Sequence, residues 1–234
     1  LFQAYAEDRG LLPAGRNEGY DANSLKELGK RHMNTPAPGY YGNANLTLLQ
    51  MVDPDARRIV EFGCGAGALA RAIRLRCPAV HYTGVELVPE QLALAREALD
   101  VALTRNLDQV PDWSLDAELH AALPADLFDH VIFGDVLEHL YDPARVLGQA
   151  VQCLRPGGSA LVCIPNVQHW SVLAQLLHGH WPQADAGLFD RTHIRWFALH
   201  DMAQLLQGAG LKVERVIPRI FKPEAAEPLL QALM

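Results

Sequence analysis

RRIVEFGCGAGALA, residues 57–70, is the stretch on which the reading of this chain turns. Ile59, Val60 and Phe62 read as a short buried strand. Gly63, Gly65 and Gly67 follow as a G-x-G-x-G turn, and Leu69, Ile73 and the Ala/Arg run to Arg76 then read as a helix. Glycine belongs where a tight strand-to-helix turn lets backbone approach a ligand closely. The helix start adds N–H groups without a partner in their own helix, together with the positive end of the helix dipole. A glycine turn by itself is weak evidence, because many tight turns bind nothing. The residues that follow it carry the argument.

Working outward, His81 to Glu86 reads as a strand ending in an acid. Pro89 then opens a helix with Leu92, Ala95 and Leu99 on one side. The next segment has two readings. Either Val101 to Arg105 is a strand with a short helix, Ser114 to Leu123, after it, or the strand lies near Val110. Pro111 argues for the first. Phe128 to Phe133 is a strand with Gly134-Asp135 at its end. Asp142-Pro143 starts a helix carrying Val146, Leu147, Ala150 and Leu154 inward. Arg155 to Gly158 stops it, and Ser159 to Ile164 is the next strand. A long insertion rich in Trp, His and Asp runs over residues 166–197. His200 to Leu206 reads as a helix ended by Gly208 and Gly210, and Leu211 to Ile217 as a last strand. Strands alternating with helices predict an α/β fold, a doubly wound, mostly parallel Rossmann-like sheet with helices on both faces.

Residues 1–44 read as an N-terminal arm or lid. Gly10, Pro13, Gly15 and Gly19 break its first half, Ser24 to Arg31 fits one short helix, and Pro36 to Gly39 is a turn before Tyr40 and Tyr41. Asn45 is placed to cap a helix through about Val52, with Leu46, Leu49 and Val52 on one face, and Asp53-Pro54 ends it. The main domain is thus residues 45–222, with 166–197 as an acceptor-side insertion, and 223–234 form a helical tail.

The 234 residues suffice for one α/β domain with a sizeable core. Half of them are hydrophobic, which excludes a disordered chain. The formal charge of −7 gives no general attraction to nucleic acid or to anionic membrane. No apolar run approaches the ~20 residues that span a bilayer, and no secretory signal is visible. Cys64, Cys77, Cys153 and Cys163 form no C-x-x-C pair and read as buried free thiols of a reducing, cytoplasmic compartment. The chain starts without Met on Leu1-Phe2-Gln3, which resembles the end of a protease-tag site. A tag remnant and a piece of a larger protein both fit that start, and a homodimer is compatible with the composition.

In an open parallel sheet, ligands bind at the carboxyl ends of the strands. Glu86 follows Gly63 at about the spacing expected of an acid that takes ribose hydroxyls, ~20 residues on. VEFGCGAG at 60–67, GVEL at 84–87, FDHVIFGDVLEHL at 128–140 and LRPGG at 154–158 together resemble, in order, the motifs of the class I S-adenosylmethionine-dependent methyltransferases. The resemblance covers about residues 45–217. It is nearest to the ubiquinone-type O-methyltransferases and to sugar- or polysaccharide-associated methyltransferases. IPNVQHW at 164–170 and LFDRTHIRWF at 188–197 are similar to the latter group. The resemblance implies S-adenosylmethionine as cofactor, held by Glu61, Gly63, Cys64, Gly65 and Gly67 of the first motif and by Glu86 and Leu87 of the second. It further implies Asn106 and Leu107 at the adenine, with Asp112 and Asp116 as rivals, and Gly134-Asp135 at the fourth strand end. The family fold closes with an antiparallel strand pair. After Ile217 only Arg219 to Lys222 precede Pro223, so that last strand is expected to be short, absent or cut off.

Methyl transfer to a hydroxyl of a small molecule, sugar or glycan is the activity this implies, with N-methylation of a small molecule as an alternative. An NAD-dependent oxidoreductase is a rival, because Gly63, Gly65 and Ala68 also satisfy G-x-G-x-x-(G/A). A partner-binding module that no longer catalyses is another. His139, at the end of DVLEH, is the first candidate for the base that takes the hydroxyl proton. His193 and then His169 follow it, and Glu138 is read as a cap or structural partner. No metal is expected: His178-x-His180 with Asp185 and Asp190 reads as a solvated group. Trp170, Leu173, Leu176 and Leu177 read as packing. Trp181, Trp196 and Phe197 fit either an acceptor pocket or lid packing.

Overall fold

One sheet organises the chain, described by a computed structural model over residues 2–9, 44–219 and 226. Its strands are β1 (Phe2–Arg9), β2 (Arg58–Phe62), β3 (His81–Glu86), β4 (Val101–Thr104), β5 (Phe128–Gly134), β6 (Leu154–Ile164) and β7 (Leu211–Pro218). Across the sheet they run β4-β3-β2-β5-β6-β1-β7. Neighbours from β4 through β6 pair in parallel. The chain steps outward from β2 to β4 and then returns to β5 on the other side of β2. The order therefore reverses between β2 and β5, and the crevice at their carboxyl ends is where this architecture binds ligands.

The strand sequences are near-continuous apolar runs because both faces of the sheet are covered. Alternate residues divide between two cores: Val60, Phe62, Val131, Phe133 and Val162 pack on one face, and Ile59, Tyr82, Ile132, Leu161 and Cys163 on the other. The helices are α1 (Leu46–Met51), α2 (Ala68–Arg76), α3 (Pro89–Ala95), α4 (Ala117–Ala122), α5 (Pro143–Gln152), α6 (Trp170–Leu177) and α7 (Leu199–Gly208). Local chemistry sets their starts. Asn45 accepts the Thr47 and Leu48 amides, Asp116 those of Glu118 and Leu119, and Asp142 that of Arg145.

Several expectations need correction. α1 turns Leu48, not Leu46, inward, and Leu46 is exposed. In a helix of six residues the 3–4 spacing fits two faces, and packing against Gly134 selects Leu48. The strand at Val101 is confirmed over Val101–Thr104. Arg155 to Gly158 do not separate α5 from the next strand but form the beginning of β6, where the register with β5 shifts between Phe128 and His130. The antiparallel strand that could not be found after β7 is supplied from the other terminus. β1 lies antiparallel between β6 and β7, with Ala4 opposite Val162 and Val216. Residues 2–9 are therefore sheet, although they read as the start of an arm. The helix at Ser24 to Arg31, Tyr40, Tyr41 and the 223–234 tail, residue 226 excepted, lie outside the described residues.

Phe133 is fully buried and stacks on Phe62 at 4.8 Å between ring centroids, and Phe62 meets Trp113 at 5.2 Å. Phe133→Ala should cost about 3–5 kcal/mol in urea unfolding, the usual range for emptying a core aromatic site. A loss below about 1 kcal/mol would contradict this packing.

Candidate active site

The glycine turn is held by β3. The Gly63 and Cys64 amides both donate to the Val85 carbonyl, at 2.7 and 3.3 Å. The carboxylate of Glu86 closes the loop from above, Oε2 accepting the Gly65 amide at 2.8 Å and Oε1 the Val88 amide at 2.9 Å. Gly63, Gly65 and Gly67 have φ of +71°, +50° and +78°, the region that only glycine enters freely. A Cβ on Gly63 would lie 2.4 Å from Cγ2 of Val136, so the turn and the loop after β5 are in contact. Gly67 then starts α2 without a side-chain cap, leaving its first amides without a partner in their own helix.

Glu61 sits beneath this turn, 5 % exposed, and accepts the Tyr82 hydroxyl at 2.8 Å. Burial pushes its carboxyl up to about 7, opposed by the Tyr82 hydrogen bond and raised further by the charge of Glu86. Cys64 is buried, and burial followed by the charges of Glu61 and Glu86 raises its thiol. It is a packing group beneath the turn, not a thiolate. Leu87, the residue after β3, is exposed. Asn106 lies two residues past β4, next to Arg105, whose amide donates to the Glu86 carbonyl, and its Oδ1 accepts the Asp108 amide at 3.1 Å. Leu107 is buried beside it. Asp112 accepts the Ser114 amide and hydroxyl, and Asp116 caps α4 and pairs with Arg105 at 2.9 Å. Asn106, Asp112 and Asp116 are thus each engaged in a local hydrogen bond.

Asp135, after Gly134, holds φ +57°, a sparsely populated conformation for a non-glycine residue. Its amide donates to the Cys163 carbonyl and its Oδ1 accepts the Cys163 thiol at 3.1 Å. Burial raises its carboxyl and the thiol contact lowers it, with a net upward shift. The next turn carries Glu138, 1 % exposed, and neither of its carboxylate oxygens has a hydrogen-bond partner in another of the described residues. Burial, and secondarily the charge of Asp135, holds its carboxyl well above the usual carboxylate range.

The insertion returns to this turn. The Ile194 and Arg195 amides both donate to the Glu138 carbonyl at 3.0 Å, which brings His193 onto His139 with ring centroids 4.8 Å apart. His139 Nε2 is 4.0 Å and His193 Nε2 3.8 Å from Glu138 Oε1. Desolvation lowers both imidazoles, that of His193 to about 4 with help from His139. His139 and His193, read separately in the sequence, thus meet in one cluster, and Glu138, read there as structural, is its centre. The signal available was the DVLEH spelling, but the burial that isolates Glu138 depends on residues 188–197 folding over it. His169 stands apart as the N-cap of α6, its Nδ1 2.8 Å from the Ser171 hydroxyl. His178 and His180, which the sequence reads as a solvated pair, are exposed. Among the described residues the group of three donors within reach of one another is Glu138, His139 and His193. Phe197 joins the main core, whereas Trp181 contacts Phe189 and Trp196 at 5.3 and 5.7 Å on the surface. Leu173, Leu176 and Leu177, expected to pack, are exposed, and Val172 is the buried residue of α6.

The methyltransferase domain model matches residues 35–216, most of the chain. The chain belongs to the class I S-adenosylmethionine-dependent methyltransferases. It is 28% identical over 158 residues to a ubiquinone biosynthesis O-methyltransferase of Aeromonas salmonicida, covering 67% of this chain and 63% of that protein. It is 34% identical over 169 residues to one of Xylella fastidiosa, covering 71% and 65%. The chain thus spans a little under two thirds of the length of these relatives. A SAM-dependent methyltransferase of Thermotoga maritima shares the fold, with a TM-score of 0.52, 21% identity, and 80% and 78% of the two chains covered. The residues present suit the family's cofactor: a glycine cradle that a Cβ would fill, and two buried acids, Glu61 and Glu86, at adjacent strand ends.

Glu61 supplies a test of these electrostatics in the ligand-free protein. Its folded pKa of about 7 exceeds the ordinary carboxyl value, so its proton-linked stabilisation is complete below pH ~4.3 and is lost as pH rises to about 7. Above that the folded state bears a cost of about 3 kcal/mol, the free-energy equivalent of the shift. Glu61→Gln keeps an acceptor for Tyr82 and should raise the melting temperature at pH 8 but not at pH 4. Equal effects at both pH values would show that Glu61 is not strained by ionisation.

Proposed function

We propose that this domain methylates a hydroxyl group of a small molecule, sugar or glycan, with the acceptor entering between the glycine turn and the 166–197 insertion. When bound, S-adenosylmethionine supplies an electrophilic methyl group on a sulfonium, whose thioether leaves neutral and needs no acid. The chain's own work is to hold the cofactor, orient the acceptor and receive a proton. In this reading Glu86 takes the ribose hydroxyls with the lone pairs its two backbone bonds leave free. Glu61 lies beneath the turn, and Asn106 with Leu107 border the adenine. In-line approach to the methyl group depends mainly on proximity and orientation.

The observation that carries the hydroxyl reading is the meeting of Glu138, His139 and His193 beside the loop that touches the glycine turn. A hydroxyl must lose its proton as it reacts, and here two imidazoles that burial keeps toward the neutral form converge beside a buried carboxyl. His139 is the most exposed of the three, its side chain at 25 % against 5 % for His193 and 2 % for Glu138, so it is the one a proton from an acceptor reaches first. The names of the curated relatives favour the same reaction. The insertion around Trp181 and Trp196 would cover the acceptor and exclude water.

Labelled S-adenosylmethionine offered with catechols, sugar nucleotides and glycan ends should mark an oxygen of one of these classes. With that acceptor, His139→Ala should lower kcat by about 10²–10⁴ and leave cofactor affinity nearly intact. Turnover within a few-fold of the parent would remove His139 from the reaction.

A further inference from the structure

Asp108 ties the loop after β4 to the turn that carries His139. Its Oδ1 accepts the Tyr141 amide at 3.0 Å and the Asp142 amide at 3.4 Å, and its Oδ2 accepts the Tyr141 amide at 3.2 Å. Burial raises this carboxyl, and the two amides and the charge of Arg145 oppose the rise, with a net upward shift. The start of α5 holds the same loop. Arg145 donates to the carbonyls of Val110, Leu107 and Asp108 at 2.6, 3.1 and 3.4 Å. One helical turn on, Gln149 accepts the Trp113 amide at 2.7 Å and donates to the Pro111 carbonyl at 3.3 Å. α5 begins at Pro143, directly after the turn. The loop, the turn and the start of α5 are therefore one hydrogen-bonded unit. Tyr141 extends it to the insertion. The Arg195 guanidinium donates to the Tyr141 carbonyl at 2.5 Å, while the Arg195 amide donates to the Glu138 carbonyl at 3.0 Å. The peptide joining Tyr141 to Asp142 thus has a carboxylate on its N–H and a guanidinium on its C=O. Charge-assisted bonds at both ends polarise it in one direction and strengthen each other.

We propose that Asp108 is a positioning residue that couples the two sides of the crevice. Adenine binding at Asn106 and Leu107 orders the turn bearing His139 and, through Arg195, the 188–197 segment. This rests on the placement of adenine given under the proposed function, and on no particular acceptor. A ligand that orders the loop stabilises what the loop is bonded to, and the coupling is reciprocal. An acceptor therefore binds the cofactor-loaded protein more tightly than the empty one. The contact between Gly63 and Val136 also joins the two sides, but by packing at the start of the turn. Asp108 holds the other end of that turn, after His139.

Hydrogen exchange reads this coupling without an acceptor. In the parent protein, saturating S-adenosylhomocysteine should slow exchange in fragments covering residues 105–113, 137–142 and 188–197. In the last two the slowing should be at least about threefold. Asp108→Ala removes the tie and leaves Asn106, Leu107 and Glu86 in place. It should still bind the ligand and slow exchange at 105–113, and lose the ligand-dependent slowing at 188–197. Asp108→Asn keeps an accepting oxygen and should retain that slowing. Arg195 is exposed, so Arg195→Met should fold. It should reduce the slowing at 188–197 and leave that at 137–142 as in the parent. No slowing at 137–142 and 188–197 in the parent, or unchanged slowing at 188–197 in both Asp108→Ala and Arg195→Met, would overturn the proposal. Failure of the adenine placement would appear separately, as ligand binding that slows no exchange at 105–113, and would remove the coupling with it.

Discussion

The carboxylate of Glu86 ties together the parts on which the crevice depends. It ends β3, receives the Gly65 amide from the glycine turn and receives the Val88 amide at the start of α3. Hydrogen bonds from backbone amides to a carboxylate are among the stronger ones in proteins, and the one from Gly65 fixes the middle of the glycine turn. The turn in turn meets Val136, which fixes the loop after β5 and hence Glu138 and His139. A single acid at a strand end thus connects the cofactor side of the crevice to its acceptor side.

The two sides differ in how they treat charge. On the cofactor side, Glu61 and Glu86 are buried but hydrogen-bonded, one to Tyr82 and one to backbone. On the acceptor side, Glu138 is buried with no side-chain donor among the described residues. Proteins seldom bury an unpaired carboxylate without a reason, since desolvation is costly unless a proton or a cation compensates it. The insertion imposes this burial through two amides on the Glu138 carbonyl, so assembly of the acceptor side depends on residues 188–197 docking correctly.

Much of this was legible from local chemistry. Glycines that need positive φ, an acid at a strand end and Asx residues before helices each state a requirement of their own neighbourhood, and the parallel sheet follows from apolar runs alternating with helices. Features set by distant partners were not legible. β1 is defined by its bonds to β6 and β7, more than 150 residues away in sequence, and nothing within residues 2–9 announces an internal strand. Leu48 rather than Leu46 faces inward because of a contact with Gly134. Glu138 reads from the sequence as a cap or structural partner, because its burial belongs to the returning insertion and not to its own segment.

Calorimetry of S-adenosylhomocysteine and NADH binding to the folded protein, repeated on Glu86→Ala, tests the crevice most directly. The account expects one molecule of the sulfur ligand per chain, binding tighter than NADH, and a loss of about 1.5–3 kcal/mol in the variant, the scale of hydrogen bonds to a charged group. No heat with the sulfur ligand, or equal affinity in Glu86→Ala, would contradict it.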